Sequence, residues 1–221
     1  MLLKDRAPSA RRSSAGNDVD AGVDPIEGLD LSAHGQAVTR RALAALCDRG
    51  WMHLGDLHWP GRPRAVIDHV AVGPGGIIVL TTVHWIGVVE LRAGKIWHNG
   101  RPSAAQHTCE VAAAAIRSVL PHNLHDHVVP ALSVVTRQSL DAVAGSVVTT
   151  SATNLETVLN RRAKVLDAEQ VARTAAVLWA TLSVGAGGRH QSTRVSSGGG
   201  ITQIVTWWRS LLLGSGGGSR S

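Results

Sequence analysis

Four residues, Gly73-Pro74-Gly75-Gly76, sit between two β-rich apolar runs and constrain the chain path more tightly than any other stretch. Glycine admits positive φ, while proline fixes φ and withholds a donor, so such a cluster reverses the chain. Residues 66–72 before it are apolar apart from Asp68 and His69; residues 77–83 after it resume the pattern and are closed by Trp85 and Gly87. The arrangement predicts a β-hairpin with one acidic side chain, Asp68, on its first strand.

The flanks predict the other elements. Val38, Ala42, Ala45 and Leu46 recur at three- and four-residue steps, which predicts a helix from about Leu31 to Arg49, with Ser32 as its N-cap and Gly50-Trp51 as its stop. Residues 52–57 suit a short first strand, followed by a basic loop with Arg62 and Arg64. Residues 88–91 and 95–98 suit two more strands, and residues 99–102 a turn bearing Arg101. An Ala-rich helix is expected over 103–120, stopped by Pro121, then strands at 128–135 and 145–150 and helices at 155–160 and 168–182. Strands alternating with helices over 29–182 predict an α/β domain whose central mixed β-sheet is flanked by helices.

The chain has 221 residues, enough for one domain with a substantial core. Phe and Tyr are absent, so the seven Trp supply the large aromatic volume. The net charge of +6 is uneven: residues 183–221 hold four Arg and no acid, residues 1–28 carry −1, and the middle carries +3. Such a balance permits a nucleic-acid partner without requiring one. Cys47 and Cys109 lie in apolar segments and are expected to be buried reduced thiols. No leader-like start and no apolar run long enough to span a bilayer are present, and the expected location is the cytoplasm. Residues 1–28 are expected to be disordered, and 183–221 to be a Gly/Ser/Arg-rich tail interrupted by the apolar block 201–213.

Pro60-Gly61, Ile67-Asp68-His69, Gly73-Pro74-Gly75-Gly76, Thr82, Trp85 and Gly87, with Gly35-Gln36 upstream and Gln106 downstream, resemble the NERD (nuclease-related) domain family, a branch of the PD-(D/E)XK nuclease superfamily. The resemblance implies a restriction-endonuclease-like core. It also implies a four-part Mg²⁺ site: a helix Glu, the strand Asp, an acid at the end of the next strand, and a Lys two residues on. Mapped onto this chain, the Asp is Asp68, but the Glu position is Gln36, the acid is Thr81 and the Lys is Val83. Gln106 falls where the family commonly carries Gln.

One carboxylate with an amide and a hydroxyl is a poor cage for Mg²⁺, so no metal is expected, or Asp68 as its ligand if any. On a regular strand residues 82 and 84 face away from 81 and 83, which turns His84 away from the site. Asp68 reads either as a relict ligand or as a hydrogen-bonded Asp holding the hairpin, and His69 as structural. His122, His125, Asp126 and His127 match no zinc template and read as a polar loop.

Three functional readings stand. The first is a nuclease fold without nuclease chemistry, binding DNA or acting as a scaffold, with Arg62 and Arg64 beside the site position and Arg101 as further phosphate contacts. The second is an active Mg²⁺-dependent nuclease rebuilt around Asp68 with Glu90, Lys95 or the histidines. The third is an adaptor that docks on a protein partner or a membrane surface through Ile201, Trp207, Trp208 and Leu211.

Overall fold

The Gly73–Gly76 turn forms where expected, and the computed structural model, which describes residues 25–183, shows why it needs glycine. Strand β2 (Arg62–Gly73) turns through Pro74 and Gly75 into β3 (Gly76–His84). The Trp51 ring lies where a Gly73 side chain would be, 2.1 Å from an added Cβ, and a Gly75 Cβ would lie 2.8 Å from that of Arg162. Gly76 has φ +116, and a Cβ there would press on the His127 carbonyl at 2.7 Å. The turn is also tied down from outside. Val165 N donates to the Pro74 carbonyl at 2.8 Å, and Arg162 Nε to that of Gly75 at 3.0 Å.

Around this hairpin the main sheet has six strands. Strand β1 (Met52–Trp59) lies antiparallel to β2. On the other side β3 runs parallel to β7 (Val128–Val135) and β7 parallel to β9 (Val147–Ser151), while β8 (Asp141–Ala144) closes the edge antiparallel to β9. A separate three-stranded sheet is made of β4 (Val89–Arg92), β5 (Lys95–His98) and β6 (Arg101–Pro102).

Strand side chains alternate between faces, and helices cover both. Ile77 and Val79 of β3 pack with Val70 and Val72 of β2 against Ala112, Ala113 and Ile116 of α2 (Ala105–Arg117) and Val171, Ala175 and Leu178 of α4 (Ala168–Leu182). Ile78 and Leu80 point the other way, onto Leu43 and Leu46 at the end of the first helical segment and onto Leu155 and Leu159 of α3 (Leu155–Asn160). The result is the expected α/β architecture, a mixed sheet between helical layers.

Several boundaries differ from expectation. Helix α1 spans Pro25–Ala44. It starts ahead of Ser32, which is therefore not its cap; Pro25 suits a first helical position, where the missing N–H costs nothing. It also ends before Arg49: the chain tightens into a 3₁₀ turn, Cys47–Arg49, which Gly50 stops at φ +80. Helix α2 is shorter than 103–120, and the expected turn at 99–102 includes the two residues of β6. The His122–His127 segment is 3₁₀ helix rather than loop. Among the described residues no helix is long and apolar enough to cross a membrane.

Gly73→Ala is expected to destabilise the domain by about 1–3 kcal/mol, because a methyl group there overpacks the buried Trp51 ring. Urea unfolding followed by tryptophan fluorescence checks it; a variant as stable as the parent would contradict this packing.

Candidate functional site at the strand fork

Strands β2 and β3 do not pair along their whole length. Their ladder runs from Gly73–Gly76 to His69–Leu80 and stops. Beyond that point β2 continues against β1 as far as Trp59–Arg62, while β3 continues against β7 as far as His84–Val135. The strands therefore part, and the backbone groups that would have continued the ladder need other partners.

Asp68 meets that need. It is the first residue of β2 past the ladder, and its Oδ2 accepts a hydrogen bond from Thr82 N at 3.0 Å. Its Oδ1 accepts one from Gln36 Nε2 of α1 at 3.4 Å. The helix lies close at Gly35, where an added Cβ would meet Thr82 Cγ2 and His84 Cβ in ordinary contact, both at 3.4 Å. Gln36 then supplies the reach to the carboxylate.

Burial pushes the Asp68 carboxyl above its ordinary range; the Thr82 N–H opposes that, and the Asp56 charge adds to it. Thr81 faces the α2 side and bonds the thiol of Cys109, which burial above all pushes up to about 11. Cys109 is buried, as expected, but Cys47 is only partly so. Val83 packs against the apolar cluster that contains Cys109, Leu132 and Val134. Where the family pattern calls for a lysine, the fork has an isopropyl group in an apolar wall.

Other expected residues lie elsewhere. Gln106 turns toward the β8–β9 turn, its Nε2 2.8 Å from where a Gly145 Cβ would stand. Glu90 forms an exposed ion pair with Arg92 at 2.7 Å on the three-stranded sheet, and Lys95 is exposed there. Arg62 does not stand beside Asp68: it lies six steps back along the extended strand, about 20 Å away. Arg101 is exposed on β6. The side chains of Pro63 and Arg64 lie outside the described ones, as do Ile201, Trp207, Trp208 and Leu211. His84 lies on the α1 face, as strand alternation required, with Nδ1 3.3 Å from the Leu31 carbonyl oxygen and its ring 5.4 Å from that of His34. Among the described residues, no three His, Cys, Asp or Glu side chains are grouped to hold a metal ion, the 122–127 histidines included.

One partner was not foreseen. His53 of β1 reaches His69 of β2, Nε2 to Nδ1 at 3.1 Å, with His69 almost fully buried. Burial first, then the Arg40 charge, lowers His53 to about 4. Burial first, then His53 and Arg40, lowers His69 to about 3. Gly55, brought opposite His69 by the register, leaves room into which the His53 ring folds, 3.5 Å from the missing Cβ.

A helix laid over the fork of a mixed sheet, with a strand aspartate in the fork, is the framework of a nuclease-like α/β fold. Residues 32–136 match the family model of the nuclease-related domain, NERD, a family of the PD-(D/E)XK superfamily. No curated protein and no solved structure matches the chain.

Both histidines are neutral in the folded state and have ordinary values near 6.5 when unfolded, so the unfolded chain binds more protons between pH 6.5 and about 3–4. Stability is therefore expected to fall as pH drops through that window, by up to about 1.4 kcal/mol per pH unit for each histidine. Asp68, with its raised value, works in the opposite direction just above pH 3.8. Urea midpoints from pH 7 to 4 test this, and a His53→Gln/His69→Gln variant should show a shallower slope. An unchanged slope would contradict the assignment.

Proposed function

We propose that this nuclease-related domain does not hydrolyse phosphodiesters and serves instead as a nucleic-acid-binding module. The observation that carries this reading is the company of Asp68, a lone carboxylate among an amide, a backbone N–H and an apolar wall. Both carboxylate oxygens already accept hydrogen bonds, from Gln36 Nε2 and Thr82 N.

The superfamily's chemistry uses Mg²⁺ to activate water and neutralise charge on the phosphate. Mg²⁺ requires hard oxygen ligands in near-octahedral array, normally with one or two carboxylates among them. The fork offers one carboxylate, itself pushed toward its neutral form by burial, beside an amide, a hydroxyl and an isopropyl group. That set does not fit a magnesium ion, and no residue at the lysine position can donate to a water or a phosphate oxygen. In this reading Asp68 keeps a structural duty, holding the ends of β2, β3 and α1 together where the ladder has stopped.

Nucleic-acid binding is a function such a fold can keep without hydrolysis, and the charge balance supports it. Exposed Arg62 and Arg101 contribute to the +3 of residues 29–182, to which the arginines of the tail add +4.

Purified protein incubated with linear duplex and single-stranded DNA is expected to give no cleavage in Mg²⁺ or Mn²⁺. Cleavage that Asp68→Ala abolishes would overturn the reading. The same position separates pin from ligand in stability. Asp68→Ala leaves the Thr82 N–H without its acceptor and should cost about 1–3 kcal/mol, whereas Asp68→Asn keeps an acceptor and should cost well under half of that. Equal losses in urea unfolding would contradict the pin.

A further inference from the structure

The three-stranded sheet carries a surface that the fork does not explain. Its cross-strand partners are Glu90 with Trp97, Arg92 with Lys95, and Trp97 with Pro102. Directly opposed residues in an antiparallel pair share a face, so these five side chains stand together. The opposite face is spent on the core, where Val89 and Ile96 are buried with Leu132 and Val134. On the outer face the Arg92 guanidinium lies over the Trp97 ring, 5.4 Å from its centroid. Lys95 is exposed beside it, and Arg101 is exposed at the edge.

The small sheet is basic: residues 89–102 hold Arg92, Lys95 and Arg101 against Glu90, a net +2. The Glu90–Arg92 ion pair is exposed, so water and salt screen it and it withdraws little from that field.

We infer that the outer face of this small sheet, with Trp97 and Arg92 as a stacking platform and Lys95 and Arg101 as phosphate contacts, binds single-stranded nucleic acid. This rests on the nucleic-acid-binding reading above and names its surface and its substrate. Unpaired bases stack on aromatic rings and on guanidinium planes whatever their sequence, and flanking cations follow the backbone. A duplex keeps both faces of each base inside its stack and can use only the cations. The four residues of β5 span about 10 Å, the length of about three stacked nucleotides.

The test is fluorescence anisotropy of the full chain with a labelled oligo-dT of about 15 nucleotides and with a duplex of equal length. Single strand is expected to bind more tightly than duplex. Arg92→Ala/Lys95→Ala/Arg101→Ala, all at exposed positions, should weaken oligo-dT binding at least about tenfold and make the slope of log K against log salt shallower by about 2. Trp97→Ala should weaken it about tenfold, and Trp97→Phe should retain most of the binding. If these variants bind like the parent while Arg62→Ala/Arg64→Ala loses binding, this surface is wrong and nucleic-acid binding by the domain stands. Duplex bound as tightly as single strand overturns the substrate assignment. A parent protein that binds neither overturns both.

Discussion

The structure around the candidate site depends on two strands that stop pairing. A continuous β2–β3 ladder would have satisfied Thr82 N from the neighbouring backbone and left Asp68 a side chain without a task. Because β3 follows β7 while β2 follows β1, the fork opens a gap that the Asp68 side chain fills. An acid within reach of that gap is held by the backbone N–H before any metal or substrate enters. In such a frame, hydrolysis depends on what else is anionic nearby, and here the neighbours are Gln36, Thr81 and Val83.

The surroundings of the fork follow from the same economy of space. Helix α1 lies against the fork at Gly35, and glycine at 73 lets Trp51 close the far end of the hairpin. The rigid end of the hairpin is thus the turn, pinned by Trp51, Arg162 and Val165, and the open end is the fork. The histidine pair beside Asp68 is neutral at neutral pH, so it adds no positive charge that would hold the carboxylate ionised.

Much of this was legible in the residues. The hairpin is legible because its turn residues and β-branched runs agree, and the expected helix 168–182 has the bounds of α4, whose start the structure shows closed by a capping box of Asp167 and Gln170. Strand β8 was not legible: Asp141-Ala142-Val143-Ala144 is short and lies at the sheet edge, and it is a strand only because β9 offers it a partner. Ser32 looks like a cap, yet nothing requires a helix to begin at its best capping residue, and α1 starts at Pro25. The Asp68–Gln36 contact followed from the family pattern. The Thr82 N–H partner and the His53–His69 pair depend on register and on where pairing ceases, which local sequence does not encode.

The central proposal is that Asp68, held by Gln36 and Thr82 and without a second acid beside it, does not serve as a cation site. Manganese binding to the parent protein and to Asp68→Asn, followed by electron paramagnetic resonance of the free ion, tests it most directly. The account predicts that the two proteins take up the ion identically, with no stoichiometric site in either that depends on residue 68. A one-to-one manganese site present in the parent and lost in Asp68→Asn would contradict it.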